Sequence, residues 1–153
     1  MHHEIECVVK IGSKGQPAAI AVGLDLTDRP VQGKLRKEQL PWAKGKCFRS
    51  SAVVGNWHEW SADWESLNQE NAALRLELTV NDELRQSAFL SEMSVPINQQ
   101  INSLSEWAPV QEGDFLFTGT PSGVAQLVSG DSLIARLIGP QDIVLSEIIM
   151  RCD

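Results

Sequence analysis

Residues 73–89, ALRLELTVNDELRQSAF, indicate which secondary structure dominates this chain. Leucine or valine occupies every second position from Leu74 to Val80, which is the period of a strand with one buried face. The polar pair Asn81-Asp82 then interrupts the alternation, and such pairs favour the tight turn of a β-hairpin. We therefore predict a hairpin here, and a fold that is rich in strands.

Apolar runs on both sides of this hairpin extend the β pattern. Residues 4–11 are predicted as a strand that turns Glu4, Glu6 and Lys10 outward. The other predicted strands are residues 18–27, 114–120, 131–139 and 142–150. A Gly-rich elbow, TGTPSG, joins two of these strands.

Helical spacing is confined to short segments. Residues 94–107 carry Ile97, Ile101 and Leu104 at helical intervals, and Pro96 suits the first turn of a helix. We therefore expect an α+β protein, a strand-dominated sheet or roll with a few short helices, in a single domain over residues 1–153.

Three tryptophans lie close together in the polar stretch NWHEWSADW. Trp57, Trp60 and Trp64 follow helical i, i+3, i+7 spacing, which predicts an apolar stripe that covers the core or a subunit contact. The alternative is a stacking platform for a ligand.

Composition limits the partners of the chain. A net charge of −7 over 153 residues argues against a nucleic-acid partner and requires a local cation for any anionic substrate. No apolar run is long enough to span a membrane. Cys7, Cys47 and Cys152 show no disulfide or metal spacing. We expect reduced thiols and a cytoplasmic location.

Acidic residues of the first two predicted strands form a candidate metal site. Glu4 and Glu6 share one face, Asp25 ends the second strand, and three carboxylates converge if the strands are neighbours. A divalent ion would balance their charge, and all-oxygen ligands suit Mg²⁺ or Mn²⁺. Solvated glutamates at a strand edge are the alternative. His2 and His3 point opposite ways on a strand, which favours a strand-edge pair or a tag remnant over a zinc site.

Basic residues are concentrated between Asp25 and Phe48. Arg29 and Gln32 would lie on the same side of a helix, where Arg29 offers a bidentate donor for a carboxylate. Lys46 would neutralise an enolate or carboxylate, or act as a base if its pKa falls.

Five separated segments resemble the fumarylacetoacetate hydrolase family, in the order that the family shows. They are HHEIECVVKIG, AVGLDLTDRPVQGK, LPWAKGKCFRSSAVVG, LTVNDELRQ and EGDFLFTGTPSGVAQLVSGD. The resemblance covers almost the whole chain, and its specificity lies in the agreement of all five segments. It implies a mixed β-roll of the type of that family's C-terminal domain, assembled as a homodimer.

The resemblance also implies the metal ligands. Glu4, Glu6 and Asp25 match the positions that hold Mg²⁺, with Mn²⁺ or Ca²⁺ as alternatives.

Substrate-binding and catalytic residues follow from the same resemblance. Arg29 and Gln32 match the pair that contacts substrate, and Lys46 matches the lysine beside the metal, so these three form the catalytic set. Thr120 matches the residue that holds the substrate carboxylate, with Gly119 next to it.

The reaction that the resemblance implies first is metal-dependent hydrolysis of a carbon–carbon bond. The substrate would be a small anionic 2-oxo acid of the acylpyruvate type, such as fumarylpyruvate or fumarylacetoacetate, cleaved through an enolate as in aromatic catabolism. Decarboxylation or keto–enol isomerisation, of oxaloacetate or 2-hydroxyhepta-2,4-diene-1,7-dioate, needs only the enolate and a proton. A catalytically silent metal-binding or dimerisation module is the alternative of another class.

Two departures from the family pattern qualify this interpretation. The family has an upstream segment whose His and Glu activate water from a mobile lid, and we expect this chain to lack it. The connections at residues 13–17 and 93–96 are also shorter than the family pattern, which reflects either genuine deletions or residues absent from this sequence.

Overall fold

Strands make up most of the regular structure in the computed structural model, which describes residues 1–60 and 64–153. The strands are β1 Ile5–Ile11, β2 Pro17–Asp25, β3 Ala52–Val54, β4 His58–Glu59, β5 Arg75–Val80, β6 Glu83–Phe89, β7 Phe115–Phe117, β8 Ser132–Ile138 and β9 Val144–Arg151. The helices are α1 Arg29–Lys37, α2 Ala43–Lys46 and α3 Ile97–Ser105. This arrangement confirms the strand-dominated α+β class.

Two antiparallel sheets pack against each other. The first has the order β3-β2-β1-β7, with β4 also pairing with β2, and the second has the order β6-β5-β8-β9. The Ser146 hydroxyl on β9 accepts a hydrogen bond from the Val22 amide on β2 at 3.0 Å and ties the sheets together. Buried aliphatic side chains of both sheets form one core, among them Ile5, Val9, Val22, Leu76, Leu78, Leu133 and Leu137.

The predicted hairpin is present as β5 and β6. Asn81 and Asp82 have φ of 52° and 64°, the positive values of a type I′ turn, and Val80 pairs with Glu83. Leu76 and Leu78 are almost fully buried. The alternating leucines therefore lie on the core-facing side of β5, as predicted.

The helical segments differ in part from their predictions. Helix α3 begins at Ile97 rather than at Ser94, because Pro96 has ψ of 149° and is the residue that precedes the helix. Val95, the residue before this proline, is also biased towards extended backbone, which disfavours a helix that starts at Ser94. The longest helices, α1 and α3, have 9 residues each, and within residues 1–60 and 64–153 no helix is long and apolar enough to cross a membrane.

The helix predicted through the tryptophans is wrong where it can be checked. His58–Glu59 forms β4 on the edge of β2, so the chain is extended just after Trp57, while residues 61–63 lie outside the described part. Trp60 and Trp64 are half-buried against the core, in agreement with a core-covering role. The Trp57 ring instead contacts Phe115 on β7, with ring centroids 4.9 Å apart.

Candidate functional site

The acidic residues converge where β1 and β2 meet. Ile5 lies opposite Leu24 in the antiparallel register, and the Asp25 amide donates to the Glu4 carbonyl at 2.9 Å. Carboxylate oxygens of Glu4, Glu6 and Asp25 all lie within 4.8 Å of one another. The structure therefore brings together the three residues of the predicted metal site.

The expectation that Glu4 and Glu6 point outward to solvent is wrong. Their exposed fractions are only 7% and 4%, because Arg29, Lys46 and the Gly119 backbone contact their carboxylates. The alternative of solvated edge glutamates is excluded by this burial. Burying carboxylates costs free energy unless a cation or hydrogen bonds compensate them.

Two cations supply part of this compensation. Lys46 Nζ donates to Glu4 Oε2 at 2.6 Å and to Asp25 Oδ2 at 2.5 Å. Arg29 donates to the other Glu4 oxygen, and its second terminal nitrogen donates to Gln32 Oε1 at 2.6 Å. As predicted, Arg29 and Gln32 lie on the same side of a helix.

Local sequence explains how these cations reach the acids. Helix α1 starts directly after β2, where the Asp28 side chain accepts from the Val31 amide at 3.1 Å and Pro30 occupies the first turn. Gly45 of α2 packs on Gln32, so closely that a Cβ at Gly45 would lie 3.0 Å from Gln32 Cβ. This contact holds Lys46, the next residue, over the acidic cluster.

Burial and neighbouring charges shift the pKa values of the site residues in different directions. Burial alone would raise the pKa of Glu4, but hydrogen bonds from Lys46 and Arg29 hold it below its usual value. Burial raises the pKa of Glu6 to about 7, with Asp25 and Glu4 adding to the shift and the Gly119 amide opposing it. Burial would lower the pKa of Lys46, yet hydrogen bonds to Asp25 and Glu4 raise it. Lys46 is therefore a cation here, and the low pKa that a base would need is not found.

The elbow TGTPSG borders the acidic cluster. The Thr118 hydroxyl donates to the Cys7 carbonyl at 2.8 Å, and the Gly119 amide donates to Glu6 Oε2 at 2.7 Å. Gly119 has φ of 101°, which a residue with a side chain rarely adopts. Thr120, predicted to hold a carboxylate, directly follows these two hydrogen-bonded residues. It therefore lies next to the acidic cluster.

Gln86 and His3 form a buried network that the residue patterns did not assign. Gln86 Oε1 lies 2.8 Å from His3 Nδ1, and Gln86 Nε2 donates to Thr120 Oγ1 at 2.9 Å. Both side chains are 1% exposed. Gln86 pairs with buried Leu78, and this register was the available signal, since cross-strand partners share a face.

His3 is consequently neither a solvent-exposed edge residue nor part of the acidic cluster. His2 forms backbone bridges to Thr27 and Gln126. Within the described residues, the potential metal-binding group contains Glu4, Glu6 and Asp25 without either histidine.

A cavity of about 860 Å³ opens beside the elbow. Gly119, Thr120 and Ser122 line one side of it. Apolar side chains cover much of the remainder, including Phe89, Met93, Leu104, Trp107 and Leu116. A molecule held at Thr120 could thus extend from a polar end into an apolar groove.

Gly123 allows the elbow to approach β6 closely. A Cβ at this position would lie 2.1 Å from the Arg85 carbonyl oxygen, and φ is 100°. We expect Gly123→Ala to lower the free energy of unfolding by roughly 2–4 kcal/mol through strain and displacement of the elbow. Urea unfolding measures this loss. Gly113→Ala is the control, with a similar φ of 95° but nothing within 4 Å. Equal losses in both variants would contradict the role of the Arg85 contact.

Comparison with known proteins identifies the family of this chain. The chain matches the model of the fumarylacetoacetate (FAA) hydrolase C-terminal family over residues 1–150, and it belongs to that family. The family resemblance seen in the sequence is thereby confirmed.

Two relatives show the range of activities within the family. The chain is 36% identical over 149 residues to the mitochondrial oxaloacetate tautomerase of Mus musculus, covering 91% of this chain and 65% of that protein. It is 31% identical over 155 residues to fumarylpyruvate hydrolase of a Ralstonia species, covering 95% of this chain and 78% of the relative. The chain thus spans less than two thirds of the length of the mouse tautomerase.

Solved structures agree on the fold. A yeast fumarylacetoacetate hydrolase family protein superposes with a TM-score of 0.88 at 25% identity, covering 99% of this chain and 67% of the other. Fumarylpyruvate hydrolase from Pseudomonas aeruginosa, solved with Mn²⁺ and pyruvate, gives a TM-score of 0.81 at 26% identity, covering 99% and 66%.

Proposed function

We propose that this protein is a divalent-metal-dependent enzyme that forms the enolate of a small 2-oxo acid. The observation that carries the proposal is the convergence of three carboxylates with the cations of Lys46 and Arg29, directly beside the elbow that carries Thr120. The relatives are enzymes named for such substrates, and one solved neighbour holds Mn²⁺ and pyruvate.

The residues present fit a divalent ion. Glu4, Glu6 and Asp25 offer oxygen ligands only, the kind that Mg²⁺ and Mn²⁺ prefer. Burial raises the pKa of Glu6, and the negative charge of Asp25 and Glu4 adds to this shift, while the Gly119 amide and Lys46 oppose it. When bound, such an ion supplies Lewis acidity towards the keto oxygen of a 2-oxo acid.

The chain's own residues would bind and orient the anion. Arg29 and Gln32 present guanidinium and amide groups from α1, and Thr120 presents a hydroxyl at the wall of the cavity. The ammonium of Lys46 would stabilise negative charge as it develops on the substrate oxygen, because it is held in place before the reaction. Orientation by these groups lowers the entropy cost of reaching the transition state.

Oxaloacetate tautomerisation is the first reaction that we propose. It requires only the enolate and a proton transfer, and the 36% identical mouse relative is named for it. The sequence alone favours hydrolysis, which stays a prediction. A homodimer, Mg²⁺ as the physiological metal and a cytoplasmic location also remain predictions.

Hydrolysis of an acylpyruvate is the second candidate, and the cavity is the observation that favours it. Its volume of about 860 Å³ and its apolar lining exceed what a four-carbon diacid needs. The acyl portion of a longer substrate would fit beside Leu104 and Trp107 while its carboxylate stays near Thr120.

Turnover assays distinguish these possibilities. When Mg²⁺ or Mn²⁺ is added to the metal-free protein, we expect turnover of enol-oxaloacetate to rise by about tenfold or more. Turnover is measured as the loss of enol absorbance. Acetylpyruvate serves as the hydrolysis substrate, with pyruvate and acetate measured as products. Turnover of acetylpyruvate alone would favour hydrolysis, whereas no metal-dependent turnover of either compound would leave a silent metal-binding module.

A further inference from the structure

We propose that Gln86 is a positioning residue that directs the hydroxyl hydrogen of Thr120 towards the substrate carboxylate. The proposal rests on the proposed function in one respect, namely that Thr120 contacts an anionic substrate. Gln86 itself lies beneath the site, is 1% exposed, and reaches the substrate only through Thr120.

The surrounding backbone determines the orientation of the Gln86 amide. Its Oε1 accepts from the Ile5 amide at 3.2 Å, and its Nε2 donates to the Pro121 carbonyl at 2.9 Å. The reversed amide would place an NH₂ group against a backbone N–H and an oxygen against a carbonyl. Because neither contact could form a hydrogen bond, only one orientation satisfies these buried groups.

His3 adds a second constraint on the same oxygen. Its Nδ1 lies 2.8 Å from Gln86 Oε1, which is an acceptor, so Nδ1 carries the ring hydrogen. Gln86 therefore accepts from β1 on one side and donates to the elbow on the other. The network links the strand that carries Glu4 and Glu6 to the elbow that carries Thr120.

This polarity determines what Thr120 can offer. A threonine hydroxyl has one hydrogen to donate and two lone pairs that accept. Gln86 Nε2 donates to Thr120 Oγ1 at 2.9 Å and so occupies one lone pair. The hydroxyl hydrogen cannot point back at that NH₂ group, and Thr120 lines the cavity. Among residues 1–60 and 64–153 no acceptor takes this hydrogen, so it is available to an anionic oxygen.

Burial makes the arrangement rigid as well as directional. Gln86 and His3 are both 1% exposed, so no water competes for their hydrogen bonds. Gly123, three residues beyond Thr120, contacts the Arg85 carbonyl next to Gln86 and holds the elbow against β6. Thr120 therefore meets the substrate in a prearranged orientation, which reduces the entropy cost of binding.

A double-mutant cycle on KM tests the proposal. Gln86→Met removes the amide at similar volume, and we expect KM for oxaloacetate with Mg²⁺ to rise about 10–100-fold with a smaller change in kcat, the size expected for a hydrogen bond to a charged group. Thr120→Val should raise KM by a similar factor. In the Thr120→Val background, Gln86→Met should raise KM by less than about threefold further, because the two residues act as one unit.

A matched control separates positioning from general destabilisation. Leu133 is fully buried on β8, away from the elbow, and Leu133→Ala should lower the melting temperature while KM stays unchanged. Multiplicative effects of Gln86→Met and Thr120→Val, or a KM increase in Leu133→Ala as large as that in Gln86→Met, would overturn the proposal.

A measurement on the protein alone keeps this test independent of the reaction. Three-bond couplings of the labelled Thr120 methyl group report its χ1 rotamer, which places Oγ1 where Gln86 Nε2 donates to it. We expect this rotamer to be single in the wild type and averaged in Gln86→Met. A single rotamer in Gln86→Met would refute positioning even if turnover is normal. Absent turnover in the wild type would refute the proposed function, while the couplings would still decide the role of Gln86.

Discussion

Replacing Glu6 by glutamine is expected to abolish most metal binding without unfolding the protein. The substitution removes one of three charged ligands. Because loss of a residue that only supports a metal ligand typically lowers metal affinity about 10–100-fold, we expect affinity for Mn²⁺ to fall by more than about 100-fold. Turnover should fall by about 1,000-fold or more for the same reason. The amide oxygen of the new side chain can still accept from the Gly119 amide, which preserves the elbow. Calorimetric titration with Mn²⁺ measures the first effect.

Stability of the metal-free protein provides a second readout of the same change. The pKa of Glu6 is raised from 4.5 to about 7, so the folded state prefers the protonated carboxyl. Stability that is fully present below pH 4.5 is therefore lost as the pH rises through 7, by roughly 3 kcal/mol. With chelator at pH 8, Glu6→Gln should resist urea better than the wild type, and at pH 4 the two should be equal.

A carboxylate on the same molecule serves as control for Glu6. Glu77 on β5 pairs with Arg75 outside the acidic cluster, and Glu77→Gln should change neither Mn²⁺ affinity nor turnover. Unchanged Mn²⁺ affinity in Glu6→Gln would remove Glu6 from the ligand set.

Replacing Lys46 by methionine is expected to separate catalysis from metal binding. Methionine keeps the length of the side chain but removes the ammonium that contacts Glu4 and Asp25. Loss of one preorganised charge that stabilises a developing anion typically costs about 100–1,000-fold in kcat. Affinity for Mn²⁺ should stay the same or increase, because a competing cation has left the cluster.

Lys44 is the matched control for this variant. It lies two residues earlier in α2 and is exposed, so Lys44→Met should change neither kcat nor Mn²⁺ affinity. If Lys46→Met weakens Mn²⁺ binding as much as it slows turnover, Lys46 supports the structure of the site rather than its chemistry.

Local patterns predicted those parts of the fold whose causes are local. Alternation from Leu74 to Val80 and the pair Asn81-Asp82 lie within one hairpin, so neighbouring residues contain all of the necessary information. The spacing of Arg29 and Gln32 predicted a shared helix side for the same reason. Convergence of Glu4, Glu6 and Asp25 followed from one assumption, that β1 and β2 are neighbours.

Features that depend on distant chain segments were not predictable in this way. Glu4 and Glu6 were expected outside because nothing in residues 4–11 reveals that Lys46 and Gly119, 42 and 113 positions away, contact their carboxylates. The helical spacing of Trp57 is accidental. His58–Glu59 pairs with β2, so the chain is extended there rather than helical. Gln86 was not predicted as a site residue because its partners His3 and Thr120 lie 83 and 34 positions away along the chain.

The position of β1 in the middle of its sheet has a consequence for motion at the site. Segments buried on both faces open only when the whole domain unfolds, whereas segments without buried side chains open locally at little cost. Glu6 belongs to the first kind, while α1, which carries Arg29 and Gln32, has no buried residue. The carboxylates thus lie on the most protected strands of the site, whereas Arg29 and Gln32 lie on a helix that opens locally at lower cost. Exchange of a bound anion with solvent would then proceed through the α1 side, while the carboxylates keep their spacing throughout.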